Sequence, residues 1–305
     1  MNAGLTEHLR GRYGTKCFKY FLYPKHPFNF LAHQVMITVL LSNIFSGHAA
    51  LGQYTRVNEP GPVPAIQVNT YTGNLFYQRT DLFIPARGTI PMNISFVYNS
   101  LRADQDQGYG KGWSFSFGMF YRLDGSDVVI VRSDGREDDF SFSGGVYRAP
   151  AGVYDTLTLS GGAYCLVTKY GVKYYFNDPA HKQLTSVVDR NGNTTSMTYS
   201  SGKPVKITDP SGRFITLDWS GDHLSQITDP NTTPERVISF QYDISWNITS
   251  VIRPLSNTYN YDYDGLGQMI AVTDPRSTEI IISNNDYSAV DSISCAVVNY
   301  FKAFE

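Results

Sequence analysis

"KITDPSGRFITLDWSGDHLSQITDP", residues 206–230, begins and ends on nearly the same phrase: Ile-Thr-Asp-Pro stands at 207–210 and again at 227–230, with Trp219 midway. A phrase that returns at a fixed interval marks a repeat architecture. Aligned on the aspartate, the surrounding chain reads "SVVDRNG" (Asp189), "KITDPSG" (Asp209), "QITDPNT" (Asp229), "SVIRPLS" (Arg253 in the aspartate place) and "AVTDPRS" (Asp274), at intervals of 20, 20, 24 and 21 residues. Two residues before each stands a β-branched aliphatic: Val187, Ile207, Ile227, Val251 or Val272. Ten or eleven residues before the last four stands an aromatic: Tyr199, Trp219, Tyr242 or Tyr263.

The alternation inside each unit is shared as well. Thr195, Met197 and Tyr199 take the places of Ile215, Leu217 and Trp219, then of Ile238, Phe240 and Tyr242, then of Tyr259, Tyr261 and Tyr263. A period of two is one face of a strand. Each unit is therefore a predicted hairpin: a strand ending in the aromatic, a turn such as "SSGK" (200–203), "SGDH" (220–223) or "DGLG" (264–267), and a second strand ending at the aspartate turn. Proline suits that turn because it fixes φ and donates nothing to a ladder, while aspartate bonds its own backbone. The four aromatics and four aliphatics (Ile207, Ile227, Val251, Val272) are the expected repeat core. Asp189, Asp209, Asp229 and Asp274 are the expected repeat turns.

Upstream of the repeats, short runs rich in Tyr, Phe, Val, Ile and Thr alternate with Gly, Asn, Asp and Pro clusters, as at Ile94–Tyr98, Val128–Val131 and Tyr164–Lys169, and no helical period is evident past residue 60. Many short antiparallel strands follow. The 305 residues, 42% apolar, suffice for a large core. Lys and Arg number 25 against 27 acidic residues, with no basic stripe in the body, which argues against a nucleic-acid partner.

The first fifty residues differ in kind. A basic leader (Arg10, Arg12, Lys16, Lys19, Lys25) precedes a mostly apolar run from Phe28 to Phe45 and small residues at Gly47, Ala49 and Ala50. This is the pattern of a secretory signal cleaved near Ala49 or Ala50, since His33, Gln34, Ser42 and Asn43 break the run that a membrane span needs. Cys17 would leave with the leader, and Cys165 and Cys295 are expected to be unpaired. The expected organisation is a leader at 1–49, a linker at 50–67, an N-terminal β module at 68–178, hairpin repeats at 179–280 and a divergent tail at 281–305.

The units resemble RHS or tyrosine-aspartate (YD) repeats: Tyr242-Asp243, Tyr261-Asp262 and Tyr263-Asp264 carry the eponymous pair, and "YDGLGQMIAVTDP" at 263–275 is the nearest single match. "VNTYTGNLFYQRTDLFIPARG" (68–88), "YNS" (98–100) and "GKGW" (110–113) are similar to the module that precedes such repeats. The resemblance spans about residues 65 to 280. It implies a long antiparallel sheet spiralling into a hollow shell, as in secreted polymorphic toxins, insecticidal toxin complexes and teneurins; in the toxins the shell encloses a variable effector. About five units are too few to close such a shell, and the Asp-rich segment at which members cleave themselves is not recognisable. The expectation is therefore all-β hairpin repeats forming an incomplete β-shell, in a truncated, frameshifted or fragmentary member of the family.

Little in the sequence points to bond chemistry. His181 and His223, the only histidines past the leader, lack zinc spacing and read as surface turn residues. "GYGKGW" (108–113) lacks phosphate-loop spacing and reads as a tight turn that admits Trp113 to a core. "DRNGN" (189–193) lacks the glutamate that a calcium loop places twelfth, where Ser200 stands. Glu137, Asp138 and Asp139 read as a solvated hairpin end, with Glu137 and Asp139 on one strand face. No cofactor and no metal are expected. The expected function is a non-enzymatic, exported or cell-surface scaffold for effector encapsulation, whose partner is the remaining shell and effector or another β-edge. A cell-surface module binding carbohydrate or protein through exposed aromatics is the alternative. A carbohydrate-active enzyme using Glu137 and Asp139 ranks third.

Overall fold

The computed structural model describes residues 20–21, 65–69, 72–284 and 290–297. Its main element is one fifteen-stranded sheet in which every strand from Thr156–Ser160 to Val290–Val297 lies antiparallel beside its sequence neighbour, with Tyr20–Phe21 paired at the outer edge of the last. Two four-stranded sheets precede it: Ala65–Val68, Leu75–Ile84, Met92–Asn99 and Trp113–Phe115, then Phe120–Asp124, Asp127–Val131, Glu137–Ser143 and Val146–Arg148. Apart from Tyr20–Phe21, the leader and its cleavage site lie outside the described residues. Among those described, no helix is long and apolar enough to cross a membrane.

Register explains the two-residue alternation. Ile207 lies between Met197 and Ile215, Ile227 between Leu217 and Ile238, Val251 between Phe240 and Tyr259, and Val272 between Tyr261 and Ile280. The aliphatic before each aspartate is thus the middle member of an inward-facing triplet. Ile207, Ile227 and Val251 are wholly buried and Val272 nearly so. Burying such a side chain contributes about 1.5–3 kcal/mol, so these rows dominate the stability of the wall.

Two boundaries differ from the sequence reading. The sheet begins at Thr156, so the strands Thr156–Ser160, Ala163–Val167 and Lys173–Phe176, placed in the N-terminal module by the sequence, are its first members. They lack the aspartate phrase and cannot be found by counting it. The sheet also continues past residue 280 into the stretch expected to diverge, through Thr278–Asn284 and Val290–Val297. Ile280, Ile282 and Asn284 stand 21 residues after Tyr259, Tyr261 and Tyr263, and Ile293 stands 21 after Val272. The alternation persists while its markers do not: Asn284 replaces the aromatic and Cys295 the aspartate.

Candidate functional site

Tyr199, Trp219, Tyr242 and Tyr263 each sit at a break in register: the ladder shifts between Thr198 and Tyr199, Asp218 and Trp219, Gln241 and Tyr242, and Asp262 and Tyr263. A bulge re-aims a side chain. Here each ring is half-buried against the core, and Tyr199, Trp219 and Tyr242 turn their polar tips along the sheet. The Tyr199 hydroxyl donates to Leu184 O (2.5 Å), Trp219 Nε1 to Pro204 O (2.8 Å) and the Tyr242 hydroxyl to Leu224 O (2.7 Å). Pro204 is the residue paired with Tyr199, and Leu224 the one paired with Trp219. Trp219 and Tyr242 therefore each clasp the carbonyl opposite their counterpart one unit earlier. Burial raises the pKa of Tyr199, Tyr242 and Tyr263, keeping their hydroxyls protonated.

The aspartates act at the strand ends. In Asp189–Asn193, Asp209–Arg213, Asp243–Asn247, Asp264–Gln268 and Asp274–Thr278, the aspartate N–H donates to the fifth residue's carbonyl and the fourth residue's N–H returns to the aspartate carbonyl. In each, Oδ1 accepts from the backbone of the third and fifth residues. The fourth residue has positive φ, from +61° at Ser277 to +86° at Gly192. Asp229 departs from this: its loop runs on to Arg236, whose guanidinium grips Oδ2. The same turn closes both ends of the sheet, so Asp243 and Asp264, the aspartates of two Tyr-Asp pairs, belong with Asp189, Asp209 and Asp274. Burial works against the Asp189 charge, but Asn193, Thr89 and Asn191 donate to it and hold its pKa well below the usual carboxylate value.

These elements converge on the first small sheet, which lies on the inner aromatic face of the repeats. Trp113 is packed edge-on to Tyr77 (5.8 Å between centroids) and Tyr261 (5.2 Å), Phe96 meets Phe240 (5.1 Å), and Tyr109 meets Trp219 (5.6 Å). Trp113 Nε1 donates to the Tyr263 hydroxyl at 3.0 Å, and Met269 N donates to the Tyr98 hydroxyl at 3.0 Å. Burial pushes the Tyr98 and Tyr261 hydroxyls up to about 12. At the centre lies Arg79, with Nε 2.6 Å and Nη2 2.9 Å from the two Asp81 oxygens and Nη1 donating to the Tyr261 hydroxyl. The rings of Phe96, Trp113, Tyr259 and Tyr261 surround its guanidinium at 5.2–5.9 Å. Burial opposes the Arg79 charge, yet Asp81 and Tyr261 more than restore it, and its pKa lies above the ordinary value. At the rim, the 85–89 loop is tied to two repeat turns: Thr89 N donates to Asp189 Oδ2 at 3.0 Å, and Arg213 Nη2 donates to Pro85 O.

Three sequence readings are corrected here. His223 is not a surface turn residue: it is 8% exposed, stacked on Trp246 (3.8 Å, 7° between planes), with Nε2 2.8 Å from Asp106 Oδ2. The 104–112 segment covers it, for Leu224 N donates to Gly108 O. Asp138 is not solvated: it is buried against Arg132 (2.7 Å), which also binds Asp155 (2.7 Å). Glu137 is committed to Arg122 and Arg102, which hold its carboxyl below the usual range. Arg79 and Asp81 were missed by the sequence reading, although alternation from Leu75 and Tyr77 puts both on the inner face. Cys165 is a free, half-buried thiol. Among the described residues no three His, Cys, Asp or Glu side chains are grouped to hold a metal. The seam positions one sheet on another.

Comparison with known proteins gives two family matches: a domain of unknown function, DUF6531, over residues 66–140, and the Teneurin YD-shell over residues 164–299. The tRNA(Glu)-specific nuclease WapA of Bacillus subtilis subsp. natto (strain BEST195) is 31% identical over 269 residues, covering 73% of this chain and 11% of the relative. The tRNA nuclease WapA of Bacillus subtilis (strain 168) is 30% identical with the same coverage. The chain thus spans about a tenth of the length of the curated relatives it matches. Among solved structures, the Photorhabdus luminescens Tc holotoxin pore aligns at a TM-score of 0.34 and 13% identity, over 76% of this chain and 14% of the toxin chain.

Proposed function

The chain belongs to the RHS/YD-repeat family, and from that premise we propose that it is a non-enzymatic part of an exported β-shell of the polymorphic-toxin type, whose task in the parent molecule is to enclose and deliver an effector. The observation that carries this reading is the clasp of Trp219 onto Pro204 and Tyr242 onto Leu224. A unit that binds its predecessor through backbone and one ring can be added indefinitely, and the product is a wall. The first small sheet is the folded body that this wall embraces, held by apolar rings and the buried Arg79–Asp81 pair. The outer edge of the last strand, which Tyr20–Phe21 meets at Ile293 and Ser292, is where a further β-edge of the shell can pair once the leader is removed. The nuclease activity named for the relatives belongs, on this reading, to parts of those proteins outside the matched tenth.

Two measurements test the proposal. Purified chain incubated with total tRNA is expected to leave it intact; cleavage that copurifies with the folded chain would overturn the non-enzymatic reading. Expressed with its leader in a bacterial host, the chain is expected outside the cytoplasm with Ala50 or Leu51 as its new first residue. Recovery in the cytoplasm with Met1 retained would overturn export.

A further inference from the structure

A cleft of about 420 Å³ opens where the turns Asp243–Asn247 and Asp264–Gln268 lie side by side, lined by Asp243, Asn247, Asp262, Asp264 and Lys111 among others. A second cavity of about 550 Å³ shares Asp262 and Asp264 and runs over the outer sheet surface past Glu279, Ile270 and Ile281. The two form one groove, with four carboxylates against one ammonium. Lys111 offsets Asp243, whose pKa it helps to lower, so the uncompensated charge lies on the Asp262–Asp264 side.

Exposed acids on a β-surface are ordinary; unsatisfied acceptors beside them are not. Asn247 is 3% exposed and donates from Nδ2 to Asp243 Oδ2, which leaves its Oδ1 without a partner. That oxygen lies 3.6 Å from where a Cβ on Gly267 would stand, so it lies against the opposite turn at the floor of the cleft. Asp264 uses Oδ1 for the backbone of Leu266 and Gln268, and its Oδ2 makes no hydrogen bond among the described residues. The Asp262 carboxylate, on the outer face, likewise makes none. A buried acceptor calls for a donor, and two free carboxylates call for a cation. A guanidinium answers both, with five donors in one plane. The apolar flank, with Ile281 39% and Leu266 76% exposed, suits aliphatic neighbours of that group.

We propose that this groove docks an extended basic segment of a partner protein, with an arginine seated among Asp264, Asp262 and Asn247 and an aliphatic side chain two positions away lying along Ile270 and Ile281. In an extended segment, alternate side chains share a face, which matches the groove's sequence of acidic then apolar surface. The inference goes beyond the shell reading and does not depend on it.

The test uses the full chain and a capped, fluorescein-labelled hexapeptide, Ser-Ile-Ser-Arg-Ser-Ile, followed by anisotropy, with citrulline in place of arginine as control. Saturable binding is expected, weakened about tenfold by Asp262→Asn and by Asp264→Asn and unchanged by Asp218→Asn on a distant outer strand. Asp264→Asn keeps the Oδ1 that closes its turn, and the Asp262 side chain makes no hydrogen bond among the described residues, so both variants should fold; a melting curve confirms it. No binding, equal binding of the citrulline peptide, or equal weakening by Asp218→Asn would overturn the proposal. So would calcium displacing the peptide stoichiometrically, which would make the groove a metal site.

Discussion

Replacing Arg79 with Met is the most informative single perturbation of the seam. The pair Arg79–Asp81 has side chains 1% and 0% exposed, so Arg79→Met strands a carboxylate where water cannot reach it. Breaking a buried pair from one side costs about 3–5 kcal/mol, and the four rings around the guanidinium lose cation–π contacts of about 0.5–2 kcal/mol in all. A loss of roughly 4–6 kcal/mol is a large share of the stability of any domain. The double variant Arg79→Met/Asp81→Leu removes both charges and is expected to recover most of that loss, because exchanging a whole buried pair for apolar groups is often neutral. Urea unfolding of the two single variants and the double gives the coupling. In Arg79→Met the buried Asp81 carboxylate is left without its counter-charge and protonation relieves it, so the variant should be more stable at pH 4–5 than at pH 7. A single-variant loss below about 1 kcal/mol with no such pH dependence, or a double variant as unstable as the sum of the singles, would refute the reasoning.

Tyr242→Phe keeps the ring but removes the donor to Leu224 O, and should cost about 1–2 kcal/mol, seen as a lower urea midpoint at constant m-value; no shift would mean that the clasp is incidental. Gly88 has φ +102°, and a Cβ there would lie 2.5 Å from Asn193 Nδ2. Gly88→Ala should therefore destabilise by about 1–3 kcal/mol and expose the 85–89 loop to protease; a variant as resistant as wild type would contradict the seating of that loop. Asp189, Asp229 and Asp243 have folded pKa values below the ordinary one, because donated hydrogen bonds outweigh the opposing effect of burial. Depressed carboxylates stabilise above their unfolded pKa of about 4 and lose that contribution as pH falls through the folded value. Stability should drop below about pH 4, and less steeply in Asp189→Asn; identical slopes would contradict the charged-turn account.

Much of the repeat sheet was legible because its markers are covalent and periodic. Asp189, Asp209 and Asp274 announce a turn by their own chemistry, and Ile207, Ile227, Val251 and Val272 announce a buried face by branching and spacing. What escaped was whatever depends on a neighbour far off in sequence. His223 looks like any turn residue until the 104–112 segment closes over it, and Asp138 looks solvated until Arg132 and Asp155 meet it. Arg79 reads as a polar interruption of a strand, since nothing local says that Tyr259 and Tyr261, 180 and more residues later, will surround it. The unit at 278–297 escaped for the opposite reason: backbone pairing tolerates Asn284 and Cys295 where pattern counting does not.

The seam itself can be read through the protein's three tryptophans. With tryptophan labelled in ¹⁵N, indole N–H exchange into D₂O reports on Trp113, Trp219 and Trp246 separately. Trp113 Nε1 is bonded to Tyr263 and Trp219 Nε1 to Pro204, so both should exchange slowly, with an Overhauser contact from the Trp113 indole proton to the Tyr263 ring. Trp246, 47% exposed, should exchange at once. Immediate exchange of all three, or a protected Trp113 without contact to Tyr263, would contradict the docking of the N-terminal sheet on the clasped aromatic face.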